Sequence, residues 1–261
     1  EMAPVTSQAD TQAPASSTAS GTQVRATLLA IGDVHLGTRP ASLPAELGQW
    51  GVDPSQLTPE AALCEAVEQA LDEGVDAVLF AGDVVESTNA RFEALRPLES
   101  AVRRLTEAGI AVLAVAGNHD VEALPRLAQR IEGFHLLGEG GRWERFELRK
   151  ADGPVAQVLG WSFPQARVTH SPVAELLREP PAAVAGVARI GLLHGDLGAT
   201  GGGYAPLQRQ ELEAVRLDAW LLGHIHKPSL TPSAEGGGAR PCGYLGSLLG
   251  LDPTEVGRHG P

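Results

Sequence analysis

The stretch Leu28-Leu29-Ala30-Ile31-Gly32-Asp33-Val34-His35 decides how this chain is read. The apolar run at 26–31 is short enough for a buried strand and too short for a helix. A glycine follows, which lets the backbone turn sharply and approach a ligand. Then come two side chains able to bind a metal ion. The same order recurs along the chain. Phe80-Ala81-Gly82-Asp83 closes a run at 77–81, and Val115-Ala116-Gly117-Asn118-His119-Asp120 closes one at 110–116. Leu192-Leu193-His194-Gly195-Asp196 closes 190–193, and Leu221-Leu222-Gly223-His224-Ile225-His226 closes 219–222. A single Gly-Asp pair reads as a turn. Four glycine-led pairs plus His194, each at the end of an apolar run, read as one site.

Helical stretches lie between the runs. Thr58 can cap a helix that starts at Pro59, carries the apolar stripe Leu63, Val67, Ala70 and Leu71, and stops at Gly74. A second helix is predicted over 91–108, ending at Gly109. A sixth strand is predicted at 155–161, and the section 134–161 reads as a local antiparallel hairpin. Strands alternating with helices indicate an α/β layered fold. In open α/β sheets the carboxyl ends of the strands line the ligand crevice, so strand ends far apart in sequence can converge.

Composition limits the alternatives. The 261 residues are 43% hydrophobic and 20% charged, as in ordinary globular proteins. They suffice for a sizeable core. No apolar run approaches the roughly 18 residues a membrane-spanning helix needs, and no targeting signal is evident, so a cytoplasmic setting is expected. The net charge of −12 argues against a nucleic-acid-coating protein, though not against a nuclease. Among 20 basic residues only Lys150 and Lys227 are lysine, which fits codon bias better than phosphate recognition. Cys64 and Cys242 form no CxxC pair and are expected as buried small hydrophobes. Residues 1–24, rich in Ser, Thr, Ala, Pro and Gln, read as a disordered linker or appended segment outside the fold.

The side chains at the run ends are carboxylate, imidazole and amide oxygen. That set suits manganese, iron or zinc, not calcium or a thiolate-held zinc. Seven ligands exceed the needs of one catalytic ion. Two divalent ions sharing a carboxylate fit the count, and such pairs clamp the attacking and leaving oxygens of a displacement at phosphorus.

The order DxH, GDxx, GNHD, LHGD and GHxH resembles the calcineurin-like metallophosphoesterase superfamily, over nearly all of residues 25–261. The wording GDVHLG, VLAVAGNHD, LLGHIHKP and YLGSLLGLDPTEVGRHGP is similar to the SbcD-type DNA-repair exonuclease branch. The resemblance implies a layered sheet sandwich flanked by helices. It places one ion on Asp33, His35 and His226, a second on Asn118, His194 and His224, and Asp83 between them. It implies manganese first among the metals and a metal-activated hydroxide as nucleophile. His119 would not bind metal but would meet the scissile phosphate and protonate the leaving oxygen. Glu86 stands where it could orient His119 and favour its protonated form; equally it reads as a solvated acid at a helix start. Asp120 is expected to support its loop.

The implied substrate is DNA, the implied partner an ATPase subunit, with a homodimer as the assembly. A small nucleotide or other phosphoester is the alternative substrate, and the acidic charge favours it. Because the chain ends at Pro261, a single catalytic domain at 25–261 is expected, without the capping domain of the repair nucleases. A non-enzymatic scaffold would have lost ligands, and here all seven and His119 are present. Outside the motifs, His135, His170 and His259 read as surface or satisfied core residues, Arg39 and Lys227 as surface charges, and Trp50 and Trp161 as core.

Overall fold

A computed structural model describes residues 26–40, 43, 46–51, 53–86, 94–199, 203–230 and 240–261. The linker expected at 1–24 and the first residues of the helix predicted from 91 lie outside this set.

The first half alternates β1 (Leu28–Ile31), α1 (Pro59–Glu73), β2 (Ala77–Phe80), α2 (Leu95–Glu107), β3 (Ala111–Ala114), α3 (Ala123–Ala128) and β4 (Phe134–Leu136). These four strands form one parallel sheet in sequence order. The second half runs β5 (Trp143–Lys150), β6 (Gly153–Trp161), α4 (Val173–Arg178), β7 (Ala188–His194), α5 (Arg209–Val215), β8 (Ala219–Gly223) and β9 (Cys242–Tyr244). Here β5 and β6 form the predicted antiparallel hairpin, and β6 to β9 are parallel. One detail differs from expectation: β4 leaves the hairpin region and joins the first sheet beside β3.

Local chemistry accounts for the best-defined helix. The Thr58 hydroxyl accepts the Ala61 N–H at 3.2 Å, Pro59 opens the first turn, and Gly74 closes the last at φ 59°. Leu63, Ala66, Val67 and Ala70 form its buried stripe. Leu98, Ala101, Val102 and Leu105 do the same on α2. Both stripes follow the helical period and face the sheet.

The strands are apolar on both faces because both faces are covered. Alternate residues point to opposite sides. Val78, Phe80, Val112 and Ala114 pack under α1, α2 and α3. Leu79, Leu113 and Val115 pack instead against Val158, Ile190, Leu192 and Leu221 of the second sheet. The far face of that sheet, with Trp161, Leu193 and Leu222, packs against Val173, Leu176, Leu212 and Val215 of α4 and α5. The result is a helix–sheet–sheet–helix sandwich. Burial of each inter-sheet leucine contributes about 1.5–3 kcal/mol, so this layer fixes one sheet against the other.

The sheets meet at the carboxyl ends of β2 and β7, where His194 Nδ1 donates to the Ala81 carbonyl at 3.0 Å. Two expectations about burial are corrected. Trp50 is 65% exposed, at the end of a short 3₁₀ turn rather than in the core. Cys64 lies on the outer side of α1, beside Arg104, whereas Cys242 is buried. Trp161 is buried as expected. Among the described residues no helix is long and apolar enough to cross a membrane.

Candidate metal centre

Three of the five strand ends deliver their polar side chains through an unusual backbone. Asp33, His35, Asp83 and His224 have φ of 36°, 52°, 49° and 105°. Side chains other than glycine seldom occupy this region, and such strain gathers at functional sites. The neighbouring glycines therefore act differently from what the sequence implied. Of the glycines preceding the polar residues, only Gly82 takes a positive φ, 91°. Gly117 is required by crowding: a Cβ there would lie 2.2 Å from Asp83 Oδ1 and 2.8 Å from His194 Cε1.

The structure brings all seven sequence-predicted ligands to one place. Ligand atoms of Asp33, His35 and His226 lie within 4.8 Å of one another, as do those of Asp83, His194 and His224. Asp83 stands between the groups, its Oδ2 3.3 Å from His194 Nε2 and 4.0 Å from His35 Nε2. Asn118 Oδ1 is 3.0 Å from His194 Nε2. Asp33 accepts the His224 backbone N–H at 3.0 Å, tying the end of β1 to the end of β8.

The hydrogen bonds fix which imidazole nitrogens are free. His35 Nδ1 faces the Glu86 carboxylate at 3.3 Å, and His226 Nδ1 faces that of Glu255 at 2.5 Å. His194 Nδ1 faces a carbonyl. These oxygens only accept, so each Nδ1 carries the hydrogen, and in the neutral ring each Nε2 presents a lone pair. Yet His35 Nε2 faces His226 Nε2 at 3.2 Å, and His194 Nε2 faces two oxygens. Lone pairs converging on lone pairs fit a cation between them. A partner holding the second nitrogen of a ligand imidazole is the usual support of a metal site. His224 completes the set, with Nε2 3.1 Å from Asp196 and its ring 5.4 Å from that of Tyr204.

The electrostatics carry the same signature. Burial alone would depress His194, but the Asp83 carboxylate overrides it and pushes the ring up to about 9. Burial lifts Asp33 to about 6, with Asp83 adding to the effect. Asp83 is itself held well below the usual range, because His194 and His35 outweigh its burial. These groups share protons where divalent charge would serve.

Beside the ligands, His119 is half-exposed, with Nδ1 3.1 Å from the Glu86 carboxylate. Its backbone N–H donates to Asp83 Oδ1 at 2.9 Å. Glu86 thus touches both His35 and His119, and the hydrogen bond from His35 leads in holding its carboxyl down to about 2. Asp120 is fully buried and accepts from Gly117 N–H and Val84 N–H, both at 2.7 Å. It supports two loops rather than one.

Sequence reasoning did not single out Glu255, Asp196 or Tyr204 as site residues. Asp196 carried a signal, two residues after His194. Glu255 carried none, because no spacing links it to a ligand. Arg39 and Lys227 are exposed, and His135, His170 and His259 lie outside the ligand groups.

Residues 26–228 match the family Calcineurin-like phosphoesterase. The chain is 30% identical over 172 residues to the uncharacterized metallophosphoesterase YhaO of Bacillus subtilis, covering 64% of this chain and 40% of that protein. It is 34% identical over 97 residues to the DNA double-strand break repair protein Mre11 of Aeropyrum pernix, covering 37% of this chain and 22% of that one. For Mre11 of Haloferax volcanii the identity is 36% over 114 residues, covering 44% and 23%. The chain thus spans less than half the length of these relatives. Among solved structures it resembles TT1561 of Thermus thermophilus, at a TM-score of 0.51 and 16% identity, covering 86% of this chain and 91% of that one. A dimetal phosphatase from Danio rerio has the same TM-score of 0.51 at 14% identity, with 86% and 88% covered. At such identities these two show the fold alone. With the family match spanning most of the chain and the strand-end ligand pattern within it, this protein belongs to the calcineurin-like phosphoesterase family.

Proposed function

We propose that the chain is a two-metal phosphodiesterase that hydrolyses DNA-type phosphodiester bonds. The observation that carries this reading is the convergence of bare imidazole nitrogens and carboxylates from five strand ends beside an exposed histidine. Asp33, His35 and His226 would hold one divalent ion; Asn118, His194 and His224 would hold the other; Asp83 would touch both. Manganese is the proposed metal, and iron and zinc suit the same donors. Bound there, divalent ions supply Lewis acidity to phosphoryl oxygens and lower the pKa of nearby water.

The chain's own residues divide the remaining work. Glu86 holds the half-exposed His119 through Nδ1, which leaves its Nε2 for an arriving substrate. His119 can then deliver a proton to the leaving oxygen. Asp33 and Asp83 bring negative charge that holds cations and keeps the ligand imidazoles oriented.

DNA as substrate draws support from the two relatives named as DNA double-strand break repair proteins and from the motif wording. An ATPase partner, a homodimer and a cytoplasmic setting belong to the same reading and rest on the resemblance. The net charge of −12 favours a second reading, a small nucleotide or other phosphoester on the same metal site.

Hydrolysis of a labelled DNA strand with added manganese, wild type against His119→Ala, tests the proposal. DNA cleavage that falls by roughly 100-fold or more in the variant, at unchanged metal content, is expected for general acid loss. Cleavage of a small aryl phosphodiester without DNA cleavage would move the assignment to the second reading. Neither activity in a manganese-loaded protein would overturn both.

A further inference from the structure

The family match ends at residue 228, yet the segment 245–259 returns to the metal centre. Its backbone lies directly on the first strand end: a Cβ on Gly32 would come within 2.3 Å of the Gly246 carbonyl. Leu248 N–H donates to the Asp33 carbonyl at 3.4 Å, and Ser247 N–H to the His226 carbonyl at 3.0 Å. Leu248 is buried in the core under the first sheet. The segment then folds on itself. His259 Nε2 faces the Glu255 carbonyl at 3.0 Å, and its Nδ1 faces the Ser247 hydroxyl at 3.0 Å and the Ser247 carbonyl at 3.3 Å. Within this frame the Glu255 carboxylate is held at both oxygens. One accepts Leu251 N–H at 2.9 Å, and the other accepts His226 Nδ1–H at 2.5 Å.

We propose that residues 245–259 form a strap that builds one of the two metal positions, with Glu255 as the positioning residue that sets the tautomer and orientation of His226. The inference rests on the two-metal reading above. It follows from the asymmetry of the supports. His35 is held by Glu86, His194 by Ala81, and His224 by Asp196 beside it in the fold, all within residues 26–228. His226 alone among the ligand imidazoles takes its hydrogen-bond partner from beyond that range. The strap also reaches the backbone of Asp33, a second ligand of the same position, and makes no hydrogen bond to His194 or Asn118 among the described residues. An ion at the position of Asp33, His35 and His226 should therefore depend on the strap. The other position should not.

Manganese titration of the metal-free full chain by calorimetry, for wild type, Glu255→Ala and Glu255→Gln, tests this. Wild type should show two binding events. In Glu255→Ala one event should weaken by about 10–100-fold, the usual effect of losing such a support, and the other should stay as in wild type. Glu255→Gln keeps an oxygen for His226 but loses an acceptor for one of its two partners, so its loss should be smaller. A second readout needs no metal: nitrogen NMR of the His226 ring should report a fixed Nδ1–H tautomer in wild type that becomes mixed in Glu255→Ala. If Glu255→Ala unfolds, Glu255→Gln carries both measurements. Two unchanged binding events together with an unchanged tautomer would overturn the strap. A wild type that binds no manganese would overturn the two-metal reading instead, and the tautomer measurement would still judge Glu255.

Discussion

Replacing Asp120 with alanine should cost several kcal/mol of stability, although Asp120 is not among the proposed ligands. Its side chain is fully buried and joins two loops. Oδ1 accepts Gly117 N–H and Oδ2 accepts Val84 N–H, each at 2.7 Å, and Val85 N–H is 3.5 Å from Oδ2. Gly117 precedes Asn118, and Val84 follows Asp83, both proposed ligands. Asp120→Ala leaves two well-made buried amide donors without acceptors. At about 1–3 kcal/mol for each unsatisfied group, the loss is roughly 2–6 kcal/mol. For a domain of this size that lowers the melting temperature by roughly 5–20 °C. Denaturant titration and calorimetry of the metal-free protein measure it, with the exposed Asp152→Ala as control. A loss below about 1 kcal/mol would refute the reasoning, because two buried N–H groups cannot both go unpaired so cheaply.

A side chain at position 117 would strike Asp83, so Gly117→Ala should cost about 1–3 kcal/mol from overpacking and reduce turnover by on the order of 100-fold through displacement of the shared carboxylate; turnover within twofold of wild type would show that the site relaxes around it. The metal-free protein should lose stability as pH rises from 7 to 9. His194, raised to about 9, contributes stability that is complete below its ordinary 6.5 and lost as pH climbs through the folded value. Asp120, raised to about 7, acts in the same direction but over the lower window from its ordinary 3.8 to about 7, while the depressed Asp83 matters only in acid, below its ordinary 3.8. Thermal melts with chelator should show the decline, and melts with manganese should not, since a bound ion replaces the proton on His194.

The sequence carried the proposed ligands because their signal is local: an apolar run, a turn, a metal-competent side chain. That grammar located Asp33, His35, Asp83, Asn118, His194, His224 and His226 without knowledge of how strands pair. The same runs indicated an α/β layered fold, and the resemblance implied the sandwich of two sheets. Elements made by tertiary contact were not legible. Strand β4 has three residues, one of them exposed, and exists only because β3 offers an edge. Strand β9 and the segment after it look like a loop until Leu248 enters the core. Trp50 misled in the opposite direction, since its size implied burial that its 3₁₀ turn does not provide. Glu255 was invisible because its partner is 29 residues away, in a relation that no periodicity encodes.

The glycines show where the sequence reading is right in place and wrong in cause. That reading has them supply the conformations that turn each strand end, yet left-handed φ falls on Asp33, His35, Asp83 and His224. Glycine at those four positions would relieve the backbone and remove a donor each time. Strain of this kind costs on the order of 1–3 kcal/mol per residue, and it is tolerated here because the core on either side of the sheets over-determines the loops. The buried charges follow the same logic. Burial lifts Asp33 to about 6 and Asp120 to about 7, and the Asp83 carboxylate lifts the buried His194 to about 9. A sequence selected for stability alone would keep neither the strained φ nor the displaced ionisations. Their coincidence at the carboxyl ends of the strands marks the positions where side-chain identity outranks backbone comfort, as expected of a site built for catalysis.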